Sequence, residues 1–332
     1  MKALRIVHPG SESGIELADV PEPTLGPADL LVQVHATALN RADLLQVLGR
    51  YPPPKDAPQD IPGLEYAGTV VAAGAKVQRY RPGDRVMGIV AGGAFAERLV
   101  TQEREALPIP EKLSFERAAA VPEAFLTAFD ALVLQGGMQP HARVLIHAVA
   151  SGVGTAALQL VRAFRGEAVG TTRSAAKLER CRDIAPFHPL LVDSKEPRFA
   201  DRVLELTAGQ GVDVVVDLVG GRYLGESLGC LASQGRVLEV GTLDGAKTEV
   251  DLRQLMGRRA RVVGTLLRSR PLEEKIALAR AFEAEVLPDF ATGLLQPVVD
   301  QVLPAKEVRT ALGHMGSNAS VGKLVLSWEM GA

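Results

Sequence analysis

The chain of 332 residues is short of several residue types, and each shortage removes a class of function. It has two cysteines, Cys181 and Cys230. That excludes a disulfide scaffold and a Cys-rich structural zinc site, so both read as buried free thiols. There is no basic excess: 37 Lys and Arg face 39 Asp and Glu, a formal charge of −2. With no Lys/Arg-rich run, no nucleic-acid partner is expected. No apolar stretch approaches the ~20 residues that span a bilayer, so no membrane partner is expected either. The opening MKALRIVHPG lacks the long apolar core of a secretion signal, and the expected location is the cytoplasm. Asparagine is as scarce as cysteine, with Asn40 and Asn318 the only two.

What is present is apolar residue, at 47 %, enough for large cores. A prior of about 150 residues per domain suggests two domains. The texture changes near Glu123. Before it, short apolar runs such as LLVQVHA, TVVAAGAKV and DRVMGIV alternate like half-buried strands beside turn signals such as Arg81-Pro82-Gly83-Asp84. They predict an all-β, barrel-like module over 1–122. After it, apolar runs alternate with helical patterns: RVLIHA, GEAVGTT, VDVVVDLVGG, GRVLEVG and ARVVGTLL. Runs apolar on both faces and separated by helices predict a parallel, doubly wound α/β sheet over 123–270. The segment 271–332 is expected to return and complete the first module. In ARVVGTLL, the run Arg261 to Leu267 reads as the sheet's edge strand and so as a pairing surface for a homodimer.

The junction Val149-Ala150-Ser151-Gly152-Val153-Gly154 lies between the first strand of that sheet and its first helix. Helix N-terminal N–H groups favour an anion, so this is where a dinucleotide pyrophosphate would rest. Ser151 and Gly152 let backbone approach phosphate, the helix starts at about Val153, and Gly154 allows it to pack closely. The usual G-x-G-x-x-G keeps only its last glycine, because Val149 and Ser151 replace its first two. An ordinary strand–turn–helix junction is the alternative. About 20 residues further on, an NAD site carries an acidic residue for the ribose 2′-hydroxyl. Here the second strand ends Thr171-Thr172-Arg173-Ser174, with Lys177 following. Arg173, Lys177 and the Ser174 hydroxyl would suit a 2′-phosphate, which points to NADPH. A solvated Arg and Lys at a helix start is the alternative. Asp193, on the next strand, would soften the preference.

Several stretches together resemble the medium-chain dehydrogenase/reductase superfamily over essentially the whole chain. They are ALNRADLLQVLGRYPPP, GLEYAGTV, GDRVMGIVAGGAFAE, AAAVPEAFLTAF, LIHAVASGVGTAALQL and GKLVL. Within the superfamily the chain is most similar to the quinone oxidoreductases, and to their p53-inducible subgroup. The resemblance implies a GroES-like β-barrel catalytic domain, a Rossmann domain, a cleft between them, NADPH as cofactor, and a homodimer or dimer of dimers. It also implies that Tyr51 lines the active site and that Thr127 contacts nicotinamide. Gly241 would let the cofactor cross the sheet edge. Zinc relatives supply an early Cys, a His in Gly-His-Glu and a later Cys. Here Asn40 and Asp43 fall near the first position and Gly-His-Glu reads Gly63-Leu64-Glu65, so no catalytic zinc is expected.

Asn40 ends a strand, and its amide would hold nicotinamide or an acceptor oxygen; a helix N-cap is the alternative. Tyr51 precedes three prolines, and its phenol would donate to a carbonyl gaining charge or its ring would stack on a quinone. His147, inside an apolar strand, reads as a satisfied core histidine. The resulting expectation is an NADPH-dependent quinone reductase. Reduction of α,β-unsaturated carbonyls, or a weakly catalytic NADPH-binding structural or regulatory role, remain open beside it.

Overall fold

The structure is a computed structural model that describes residues 1–11, 14–193 and 195–329. The chain is an α/β protein with a GroES-like β domain and a Rossmann domain. Its contacts divide it into two units, 1–126 with 267–332, and 127–266. Thr127 thus belongs to the second unit and Arg268 to the first.

In the second unit six parallel strands run in the spatial order His188–Leu191, Glu167–Thr172, Arg143–Ile146, Val212–Asp217, Leu231–Glu239, Arg261–Gly264. In order of sequence within the unit this is third, second, first, fourth, fifth, sixth, the arrangement of dinucleotide-binding sheets. The valine-rich strand is central because it can be buried on both faces: Val214, Val215 and Val216 are all buried. Each such side chain stabilises by about 1.5–3 kcal/mol when fully buried. Phe199, Tyr223, Leu228 and Val237 close the core over it. The sheet edge Arg261–Gly264 is shorter than the sequence suggested and leaves Val262 exposed. Cys181 and Cys230 are both buried free thiols.

In the first unit the long strand Asp29–Ala38 is the hub. It pairs antiparallel with Glu65–Ala73, with Arg98–Gln102 and with Lys323–Ser327. Its burial alternates along most of its length, as its alternating sequence requires, with Val32, Val34 and Ala36 facing the core. The pairing with Lys323–Ser327 brings a residue near the end of the chain beside Asn40. The helix Arg41–Val47 follows that strand directly and ends at Leu48 with Gly49 at φ 69°. A left-handed glycine there turns the chain sharply and sends Tyr51 into the proline loop.

Candidate functional site

The turn after the first Rossmann strand is built as an anion cradle. Ser151 caps the helix Gly152–Ala163, its hydroxyl accepting the Gly154 N–H at 3.0 Å. The Thr155 N–H bonds the Ser151 carbonyl at 2.8 Å. The N–H groups of Gly152 and Val153 find no acceptor among the described residues, so two donors at the positive end of a helix dipole stay open. Gly154 cannot be larger without a shift: a Cβ there would lie 2.5 Å from the Ala148 carbonyl oxygen. Gly241 is held in the same way, its Cβ position 2.7 Å from the Leu218 carbonyl oxygen.

Strand pairing carries Thr172, and with it the turn that holds Arg173 and Ser174, to the same edge, because Arg143–Ile146 and Glu167–Thr172 are neighbours; Lys177 follows on the helix Ala175–Cys181. Val149 N–H bonds the Thr171 carbonyl at 2.9 Å, tying the two loops together. Arg173 is exposed, and its charge reaches Tyr223 and Asp244. Ser174 sits at the N-cap of the helix Ala175–Cys181 but makes no capping bond. Thr127 is buried on the helix Pro122–Phe129. His147 is fully buried, with Nδ1 2.9 Å from the Thr171 hydroxyl and Nε2 3.0 Å from the Ser227 hydroxyl. Burial holds its pKa below the usual value, so it is a satisfied core residue.

Two features at this edge were missed in the sequence. Arg222 grips the Asp244 carboxylate through Nε at 2.9 Å and Nη2 at 2.6 Å, so the acid near Arg173 is already neutralised. Asp193 is exposed and accepts the Lys195 N–H at 2.9 Å. The other feature is Asp217 opposite Glu239 on adjacent strands, where burial and Asp217 push Glu239 up to about 7. Nothing in the sequence pattern pairs those acids; only the strand register does.

The first unit holds a second polar constellation. Glu65 is fully buried, and its carboxylate receives the Lys323 ammonium at 2.6 Å, the Asn40 amide at 2.9 Å and the Glu123 N–H at 2.8 Å. The Lys323 ammonium also donates to the Asn40 Oδ1 at 2.6 Å and to the Leu39 carbonyl at 2.8 Å. Asn40 is indeed an N-cap by position, yet the capping is done by Asp43, whose carboxylate accepts the Asn40 N–H at 2.8 Å. The other Asp43 oxygen accepts the Gly63 N–H at 2.9 Å. Burial pushes Asp43 up to about 6 in spite of those bonds. Both amide protons of Asn40 are spent, on Glu65 and on the Ala38 carbonyl at 3.3 Å. Its oxygen retains one lone pair with which to meet a donor.

A catalytic zinc does not fit these residues. Leu64 is apolar and buried where a histidine would be needed. Beside it, the Lys323 ammonium on Asn40 would repel a divalent cation. No group of three or more His, Cys, Asp or Glu is placed to hold a metal among the described residues.

Tyr51 is half-buried in the loop stapled by Gln59, whose amide donates to the Pro54 and Ala57 carbonyls. The Arg268 guanidinium lies over its ring, 5.2 Å from the centroid. Burial raises the phenol pKa while the Arg268 charge opposes that rise. Glu123 is pushed up to about 8 by burial and by the charge of Glu65, so it is largely protonated at neutral pH. Arg268 and Glu123 had no place in the sequence reading, since nothing marks them as neighbours of Tyr51.

Two family models match the chain: "Alcohol dehydrogenase GroES-like domain" over residues 26–111 and "Zinc-binding dehydrogenase" over residues 152–284. The human synaptic vesicle membrane protein VAT-1 homolog is 32 % identical over 320 residues, 92 % of this chain and 80 % of that protein. Erythronolide synthase EryA2 of Saccharopolyspora erythraea is 36 % identical over 93 % of this chain but only 8 % of its own length. Among solved structures, Escherichia coli quinone oxidoreductase complexed with NADPH matches with TM-score 0.86 at 27 % identity, covering 98 % of this chain and 100 % of that one. The CurK enoyl reductase matches with TM-score 0.86 at 27 % identity, covering 98 % of each chain.

Proposed function

Because the chain belongs to the medium-chain dehydrogenase/reductase superfamily, and so to the NAD(P)-dependent oxidoreductases, we propose that it is an NADPH-dependent quinone reductase working without zinc. Within the superfamily we place it among the quinone oxidoreductases, nearest their p53-inducible subgroup. The observation that carries the reading is the pair of open N–H groups at Gly152 and Val153, with Arg173 just past the adjoining strand Glu167–Thr172, Lys177 on the helix Ala175–Cys181 that follows it, and no zinc donor set among the described residues. The likeness to a quinone oxidoreductase solved with NADPH supports it. When bound, NADPH supplies a hydride, and a quinone that takes the hydride and one proton becomes a hydroquinone.

The chain's own residues bind and orient. Ser151, Gly152, Val153 and Gly154 hold the pyrophosphate, with Arg173, Ser174 and Lys177 on the 2′-phosphate beside Thr172. Thr127 and Asn40 steady the nicotinamide, and Gly241 leaves it room. Tyr51 meets the acceptor and donates to its oxygen as charge collects there; Asn40, whose amide protons are already engaged, serves the site only through its Oδ1 as an acceptor. Fixing the partners in place supplies much of the rate. A second reading, reduction of α,β-unsaturated carbonyls, is favoured by the likeness to the CurK enoyl reductase and to the erythronolide synthase segment. Steady-state turnover of quinones and enones with NADPH and with NADH decides. Quinone turnover with NADPH preferred, and without stoichiometric zinc by elemental analysis, is the expected result. Enone turnover alone selects the second reading, and NADPH binding with no turnover selects a structural or regulatory protein.

The acceptor is a small molecule. The assembly we propose is a homodimer, alone or doubled, paired through the edge strand Arg261–Gly264. Val262 and the exposed Leu266 beside it give that edge its apolar character. Light scattering of the wild type should give a dimer or tetramer, and Val262→Lys should lower the mass; a wild-type monomer at micromolar concentration contradicts the pairing.

A further inference from the structure

Arg268 is more than nine-tenths buried, and its three nitrogens are treated unequally. Nε donates to the Ala91 carbonyl at 2.8 Å and Nη2 to the Gln46 Oε1 at 2.6 Å. Nη1 is buried and has no hydrogen-bond acceptor among the described residues. Two bonds are enough to fix a planar guanidinium, so Nη1 is held where it is rather than swung to an oxygen. What the guanidinium meets instead is the face of Tyr51, 5.2 Å away, and a ring face accepts a cation and its N–H groups. The Tyr51 hydroxyl, at the other end of that ring, has no hydrogen-bond partner among the described residues and is not buried away from solvent. The chain has thus clamped a tyrosine by its ring and left its hydroxyl unused.

We propose that Arg268 is a positioning residue for Tyr51: anchored by Gln46 and Ala91, its guanidinium holds the phenol ring by its face and sets where the hydroxyl points. The inference rests on the reading that Tyr51 donates to the acceptor oxygen. The charge has a further effect. A cation beside the ring stabilises phenolate and so makes the phenol a stronger donor as negative charge grows on the acceptor. Arg268 opposes the upward push of burial on Tyr51, whereas Glu123 and Asp43 face the same guanidinium. Glu123, largely protonated at neutrality, offsets little of that positive charge, and Asp43, raised only to about 6, is the ionised acid that faces it.

The test joins a titration to a kinetic cycle. The chain has four tyrosines, so ultraviolet difference titration of wild type against Tyr51→Phe isolates the Tyr51 phenol. In Arg268→Met its midpoint should rise by about one pH unit, and in Arg268→Lys, which keeps the charge, it should stay near that of the wild type. With a quinone acceptor, Arg268→Met should lower kcat about tenfold with little change in NADPH KM. In a Tyr51→Phe background the same substitution should change kcat no further, because the residue it acts through has lost its hydroxyl. Should Arg268→Met fail to fold, Gln46→Met loosens the anchor and carries the same cycle. An unmoved Tyr51 midpoint, or an equal kcat loss with and without the Tyr51 hydroxyl, overturns the proposal. If the wild type turns over no quinone, the functional reading fails, and the titration still decides whether Arg268 governs Tyr51.

Discussion

The cradle around Ser151–Gly154 and the buried cluster around Glu65 are both polar constellations, but they are assembled in opposite ways. In the first, the capping bond, the close approach of Gly154 and the two open N–H groups all arise within the seven residues from Ala148 to Gly154. In the second, Asn40, Glu65, Glu123 and Lys323 meet across 283 residues of sequence, the separation of the Lys323 to Asn40 bond. The cradle draws on backbone groups and a helix dipole, so its side chains can be small. The cluster draws on ionised side chains withdrawn from water, so each depends on its partners being present. One region tolerates loss of a side chain and suffers from an added one; the other does the reverse.

The largest effect should therefore come from emptying one place in the cluster. Lys323→Met leaves the Glu65 carboxylate fully buried with only the Asn40 amide and one backbone N–H. Breaking a buried pair on one side costs about 3–5 kcal/mol. Urea unfolding should show that loss, and adding Glu65→Gln should recover most of it because the uncompensated charge is gone. A loss below about 1 kcal/mol, the range of exposed pairs, would mean that the cluster is wetter than its geometry indicates.

At the cradle's edge the expected effect is on binding. Arg173 is exposed and folds nothing in place, so Arg173→Ala should leave the melting temperature alone. A charge-assisted bond to phosphate contributes about 1.5–3 kcal/mol, so the NADPH KM should rise about tenfold or more while NADH is nearly unchanged. Equal effects on both cofactors would remove Arg173 from the 2′-phosphate. Gly154→Ala sharpens the contrast from the other side. Its new methyl would stand 2.5 Å from the Ala148 carbonyl oxygen, forcing the helix start away from the turn. Overpacking of that kind costs about 1–3 kcal/mol, and both cofactors should weaken together. An unchanged fold with discrimination between cofactors would contradict the close-approach account.

The same contrast explains what the sequence could tell. Turns and strands were legible because their signals are local: alternation in Asp29–Ala38 and a continuous valine run in Val212–Asp217; Arg173 stood out in the same local way, as the basic residue just past the strand Glu167–Thr172. Asn40 was legible as a cap by position but not as a partner of Lys323, since an antiparallel pairing between Asp29–Ala38 and Lys323–Ser327 has no local signature. Arg268 stands in the sequence as one more charge, with no local signal to single it out. Its burial and its place over Tyr51 follow from tertiary packing alone. Leu64, by contrast, was read against zinc from its place in Gly63-Leu64-Glu65 alone, a local signal.

The smallest expected effect concerns Glu123, where the cluster meets solvent. Its carboxyl keeps its proton up to about 8 in the folded chain, because burial and the neighbouring Glu65 disfavour the anion; the ordinary value is 4.5. Between those two pH values the folded state holds a proton that the unfolded state has released. Stability therefore falls as pH rises through the window; the contribution is complete below 4.5 and gone above about 8. Asp43 and Glu239, raised to about 6 and about 7, act with the same sign. They are present in wild type and in Glu123→Gln alike, so the difference between the two chains isolates Glu123. Glutamine has no proton to lose, and the variant's stability should fall less steeply with pH. Because Glu123 is partly exposed and faces Lys323 and Arg268, the gap between the curves should be only about 1 kcal/mol. Urea unfolding of both chains at matched pH across the window measures it. Parallel curves would place Glu123 among the solvated surface acids, and the buried cluster would then end at Glu65.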